Sequence, residues 1–194
     1  MATPVPTNPD LTGKVAIITG ASRGIGAAAR TFAAAGATVV LAARDEQALA
    51  ALAEDIVASG SRALAVPTDV GDPTSVERLV AQTLDAYGRL DAAFNNAGDG
   101  HMPAPLADVA LDDFDRAVRV NLRGVFLCMK YEIPAMLESG GGAIVNMSST
   151  AGNRVSCPHP LRRDRRVMLP GRVGAGMDRE ETGISVPHSV QKSV

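Results

Sequence analysis

The sequence predicts an α/β protein built on a doubly wound parallel sheet. Short apolar runs alternate with helix-period segments of about three turns. The runs are continuously apolar, as strands covered on both faces must be. A glycine-rich turn also joins the first run to the first helix.

The first strand is Lys14-Val15-Ala16-Ile17-Ile18-Thr19, followed by an alanine-rich helix over 25–35 that Gly36 closes. Residues 38–43 form the second strand. Asp45 is placed to cap the next helix, which runs to about 59 and stops at Gly60. The third strand covers 63–66 and leads into Thr68-Asp69-Val70. Pro73 opens a helix reaching Tyr87, since proline is tolerated in the first turn. Residues 90–94 make the fourth strand and run into Asn95-Asn96-Ala97-Gly98. One long helix is predicted over 111–137, and a fifth strand over 143–148. Right-handed crossovers between such units give the parallel sheet.

The chain's 194 residues are 46% hydrophobic, enough for one domain with a sizeable core. A net charge of −2 gives no basic excess for nucleic acid and no acidic excess for a solvating tail. Charges interrupt every apolar run, so none is long enough to span a bilayer. Residues 1–10 are proline-rich without a basic region and apolar stretch, and read as a loose lead-in, not a signal peptide. The two cysteines, Cys128 and Cys157, make no disulfide framework, and Cys128 reads as a small core residue. No metal-ligand set is read, and the expected compartment is the cytoplasm.

After Pro158 the character changes. Arg162, Arg163, Arg165, Arg166, Arg172 and Arg179 crowd a stretch without strand or helix period, broken by Pro160, Pro170 and Pro187. Composition predicts that 159–194, like 1–10, is a disordered tail. A basic binding arm is the alternative, but Asp164, Asp178, Glu180 and Glu181 dilute its charge.

The glycine cluster is Thr19-Gly20-Ala21-Ser22-Arg23-Gly24-Ile25-Gly26. Between a strand and a helix, its backbone N–H groups can face a pyrophosphate. Gly20 permits the tight turn, Gly24 the close approach of a ligand, and Gly26 the packing of helix on strand. Its G-x-x-x-G-x-G spacing is one residue wider than the usual dinucleotide fingerprint. Alone, such a triplet also fits a plain turn. Asn121 alone fits a side chain satisfying a local carbonyl, and Asp69 or a serine at 149 fits a turn or helix cap. His101 reads as a surface histidine.

Taken together and in order, these motifs resemble the short-chain dehydrogenase/reductase family, in its form of about 250 residues, from roughly Leu11 to Pro158. The resemblance implies a Rossmann-like nucleotide-binding domain over 11–158 and hydride transfer between a nicotinamide nucleotide and a small carbonyl or alcohol. It implies cofactor contacts from Gly20, Ser22, Arg23, Gly24, Ile25 and Gly26. Asp69 and Val70 match the family's acidic position near the adenine, and Asn96, Ala97 and Gly98 its N-A-G motif. Asn121 matches the asparagine of the proton relay, and Ser149 the catalytic serine. It also implies a homo-oligomer, dimer or tetramer.

An NAD-specific site places a carboxylate at the end of the second strand. Here Ala43 fills that position and Arg44 follows, while Arg23 lies in the glycine loop. Two guanidinium groups suit a 2′-phosphate, so NADP is expected over NAD, with Asp45 partly offsetting Arg44.

The family's active-site tyrosine should fall near position 162, with a lysine four residues later lowering its pKa. Position 162 is Arg162; Tyr87 and Tyr131 are followed four residues on by Asp91 and Ala135. The Tyr-x-x-x-Lys pair is therefore absent. A truncated chain, or a reading-frame shift near codon 158, is expected to have replaced the family's remaining elements. Two consequences are predicted. Phe114, Val118, Leu122, Val125, Phe126, Met129 and Ile133 give the long helix more apolar surface than one face needs. The fifth strand becomes an open sheet edge. Little turnover and poor solubility follow. The alternatives to an oxidoreductase are a non-catalytic NADP-binding protein and a non-functional gene product.

Overall fold

A computed structural model of the chain describes residues 10–22, 24, 26–100 and 104–148. Five parallel strands lie in the order β3-β2-β1-β4-β5: β1 (Val15–Thr19), β2 (Thr38–Ala43), β3 (Ala63–Pro67), β4 (Ala92–Asn95) and β5 (Ala143–Asn146). The register is regular, with Val15 opposite Thr38, Val39 opposite Ala63, Ala16 opposite Ala92 and Ala92 opposite Ala143.

The strands' period of two divides the core between two faces. Val15, Ile17, Val40, Ala42, Val66 and Ala93 pack with Leu79, Val80, Ala135 and Met136 from α3 (Pro73–Tyr87) and α5 (Val125–Glu138). Ile18, Val39, Leu41 and Ala43 face the other way. They meet Ala29 and Ala33 of α1 (Gly26–Ala34) and Leu49, Leu52 and Ile56 of α2 (Glu46–Ala58). Both faces of the central strands are covered, which is why their sequences do not alternate with polar residues.

The helix ends follow their sequence signals. Asp45 caps α2 by accepting from the Ala48 N–H, and Asp72 caps α3 by accepting from Thr74, with Pro73 in the first turn. Gly88 closes α3 at a φ of 71°. At the end of the sheet where β1 and β4 begin, the buried Asp91 carboxylate accepts from the Val15 amide and pairs with Lys14 and Arg89. Burial raises its pKa, but these donors outweigh that and hold it below the ordinary carboxylate range.

Three differences from the sequence reading exceed one residue. The fourth strand begins at Ala92 rather than 90, although the Asp91 backbone still bonds to Val15 and Ala143 on either side. The fifth ends at Asn146 rather than 148. The predicted single helix is α4 (Leu111–Val118), a π-helical turn (Arg119–Gly124) and α5. The widened turn is held by bonds from Arg119 and Asn121 to other parts of the chain, which periodicity does not encode.

Among the described residues β5 pairs only with β4, and Val145 is half exposed. Phe114, Val118, Leu122 and Phe126 are exposed as expected, whereas Val125, Met129 and Ile133 are partly covered. Cys128 is buried as expected, and burial pushes its thiol far up, away from reactivity. No helix among the described residues is long and apolar enough to cross a membrane. The expected tails lie outside the described residues, apart from Asp10, which accepts from the Thr12 amide.

Candidate active site

The chain winds outward from β1 in both directions, to β2 and β3 on one side and to β4 and β5 on the other. In open parallel sheets the crevice at the carboxyl ends of the strands, where the winding reverses, is the usual ligand position. Here that crevice lies between the loops after β1 and β4, which carry the glycine cluster and Asn95-Asn96-Ala97-Gly98.

Thr19, the buried last residue of β1, joins the two loops. Its hydroxyl oxygen accepts from the backbone amides of both Asn96 and Ala97, each at 3.0 Å. The Asn96 side chain returns a bond to the Thr19 carbonyl at 3.2 Å. Gly20 follows at a φ of +68°, and a Cβ there would lie 2.9 Å from the Ala97 Cα. Glycine is thus required twice, by conformation and by contact. Ala21 is buried and Ser22 half-buried in the turn. Gly24, at a φ of +56°, is exposed, and an added Cβ would meet nothing within 4 Å. Gly26 opens α1, whose N-terminus faces this end of the sheet. Arg23, Ile25, His101 and Ser149 lie outside the described residues.

The π turn supplies the next contacts. Asn121 grips Asp99 from both sides: its Oδ1 accepts from the Asp99 amide at 2.9 Å and its Nδ2 donates to the Asp99 carbonyl at 2.6 Å. It does satisfy a carbonyl, as its plain reading held, but one twenty-two residues away in the chain. Its Oδ1 also lies 3.5 Å from where a Cβ on Gly98 would stand. Arg116 pairs with the Asp99 and Asp113 carboxylates, both at 2.7 Å. The backbone following the N-A-G motif is therefore fixed by α4 and the π turn.

Asp69 and Val70 follow β3. One Asp69 oxygen accepts from the Gly71 amide at 2.9 Å, the turn-capping role open to it from sequence, and the other pairs with Arg119 at 2.9 Å. Partial burial raises its pKa, but the Gly71 amide and the Arg119 guanidinium outweigh burial, and Arg44 adds to them, so the carboxyl is held below its ordinary value. Val70 is buried with Val76, Val120, Leu127 and Cys128, and Ala97 packs on that cluster. Gly124 comes so close that a Cβ would lie 2.9 Å from Val70 Cγ2. Arg44 is exposed beyond the end of β2.

Sequence reasoning missed Thr19, Arg119 and a buried polar cluster beneath the site. Asn95 Nδ2 donates to Glu132 Oε2 at 2.9 Å and lies 3.1 Å from Asn146 Oδ1. Glu132 is 1% exposed, and burial pushes its carboxyl up to about 7 despite the Asn95 amide. Glu132 Oε1 and Asn95 Oδ1 have no partner among the described residues. A glutamate within the otherwise uncharged run 131–137 was the signal available.

The short chain dehydrogenase family matches the chain over residues 14–159. The A-factor type gamma-butyrolactone 1'-reductase (1S-forming) of Streptomyces virginiae is 49% identical over 146 residues, covering 73% of this chain and 56% of the relative. The 2,5-dichloro-2,5-cyclohexadiene-1,4-diol dehydrogenase of Sphingobium indicum is 45% identical, covering 74% of this chain and 57% of the relative. A short-chain type dehydrogenase/reductase from Mycobacterium marinum has a similar crystal structure, with a TM-score of 0.73 and 39% identity, covering 77% of this chain and 61% of that one. The chain belongs to the short-chain dehydrogenase/reductase family of oxidoreductases. It spans a little over half the length of the curated relatives it matches.

Proposed function

We propose that residues 11–158 form a partial NADP-binding domain of an oxidoreductase acting on a small carbonyl or alcohol. The observation that carries this reading is the junction of Gly20 with Asn96 and Ala97 at the reversal of the sheet, with open space above Gly24. The residues present fit a dinucleotide. Gly24 leaves its backbone accessible, and the N-terminus of α1 favours an anion. The end of β2 carries no carboxylate to bind ribose hydroxyls, while Arg44 stands beside it, ready for a 2′-phosphate together with Arg23.

In this reading the glycine-loop residues Gly20, Ser22, Arg23, Gly24, Ile25 and Gly26 hold the diphosphate end. Asp69 and Val70 flank the adenine, and Asn96, Ala97 and Gly98 line the floor. The nicotinamide supplies or accepts the hydride when bound. Asn121 positions the 98–99 backbone, and Ser149 orients the substrate oxygen. No tyrosine–lysine pair stands where the family's proton donor belongs, since position 162 is Arg162. We therefore assign nucleotide binding to this chain and expect turnover lower by at least about 10²–10⁴-fold than with that pair, the usual loss when an acid–base group is removed. The names of the relatives, a reductase and a diol dehydrogenase, support a carbonyl or alcohol substrate. A non-catalytic NADP-binding role is the second reading, favoured by the same missing pair. NADPH consumption with a panel of ketones separates the two. Turnover near that of an intact enzyme would refute the assignment of binding without efficient catalysis.

A further inference from the structure

We propose that Arg119 sets cofactor preference, by neutralising Asp69 so that the adenosine end of the site accepts the extra phosphate that distinguishes NADP from NAD. This rests on the NADP reading above and adds to it a residue that no motif marks.

Arg44 and Asp69 leave neighbouring strands at adjacent positions. Ala43 pairs with Pro67, and the Thr68 amide donates to the Ala43 carbonyl at 2.8 Å. A carboxylate beside Arg44 would cancel the charge that a 2′-phosphate needs, since both lie well within a Debye length. Arg119 reaches this corner from the π turn, and its Nη1 donates to Asp69 Oδ2 at 2.9 Å. Its stem and head lie across the 69–71 turn: a Cβ on Gly71 would stand 2.8 Å from Nη1, 2.9 Å from Cγ and 3.1 Å from Cζ. The guanidinium fits only because residue 71 is glycine. Arg119 and Arg44 then both act on the Asp69 carboxylate, so the corner is one charge more positive than Arg44, Asp45 and Asp69 alone would leave it. Asp69 is held ionised, partial burial being outweighed by its donors, so its charge does need offsetting.

Fluorescence titration of the full chain with NADPH and with NADH tests this. Arg119→Gln keeps an aliphatic stem over Gly71 and removes the charge, while Arg119→Lys keeps the charge. We expect R119Q to weaken NADPH binding roughly fivefold and NADH binding less than about twofold, the scale of one partly exposed charge. R119K should keep most of the preference. Equal weakening toward both nucleotides, or no weakening, would overturn the role of Arg119 while leaving the NADP reading intact. Failure of the unaltered chain to bind either nucleotide would overturn both.

Discussion

Single residues at this site do more than their motif labels convey. Thr19 ends a strand, and its one hydroxyl oxygen accepts two amides of the neighbouring loop. Glu132 is the clearest case of a residue with a measurable consequence. Its carboxyl ordinarily ionises near 4.5 but is raised by burial to about 7 in the fold. Between those values the unfolded chain has released a proton that the folded chain still holds. Stability is therefore full below the window, falls as pH rises through it, and stays lower above it. The loss amounts to roughly 3 kcal/mol at about 1.4 kcal/mol per unit. Glu132→Gln should remove that dependence and leave the protein more stable than the parent at about pH 8, with little difference at about pH 4. Urea unfolding at both pH values checks this. A parent chain equally stable at both would show that Glu132 is not held protonated. Gly20, Gly24, Asn96 and Asn121 were legible as candidates for a site because their types and spacing form a pattern. Thr19 and Glu132 were not, because hydroxyl and carboxyl groups acquire their roles only from partners distant in sequence.

At the scale of elements, the strands, the cap at Asp45 and the opening at Pro73 were legible in local chemistry. The helix 111–137 was legible as a helix but not in its shape. Its π turn exists where Arg119 meets Asp69, Asn121 meets Asp99 and Gly124 meets Val70, three contacts that span the fold. The same helical stretch exposes Phe114, Val118, Leu122 and Phe126 at four-residue spacing, with Leu122 69% and Phe126 62% exposed. Covering a large apolar side chain is worth about 1.5–3 kcal/mol, so we expect this surface to favour association in water. The paired change Leu122→Lys and Phe126→Lys should shift the chain from larger species to a smaller one, with little loss of melting temperature. Sedimentation velocity beside a thermal melt reads both. An unchanged size distribution would show that this face stays uncovered. The half-exposed Val145 on β5 stands at the open edge of the described sheet, a second place where we expect association.

For the molecule as a whole, the parallel, doubly wound sheet was legible in the alternation of strands and helices, whereas the strand order β3-β2-β1-β4-β5 was not. The reversal at β1 then brings the glycine loop and the N-A-G loop side by side, although they lie more than seventy residues apart in sequence. The matched family region ends at residue 159, and beyond it the chain carries arginine and proline where the family's acid–base pair belongs. The proposed function accordingly separates nucleotide binding from catalysis. The most direct test is an equilibrium titration of NADPH into the full chain and into Gly24→Val, with circular dichroism confirming that both are folded. The unaltered chain should bind, and the valine, strained at the φ of +56° and placed in the open space above the turn, should weaken binding at least about tenfold. A folded parent that binds no nicotinamide nucleotide, or a valine variant that binds as tightly, would contradict the account.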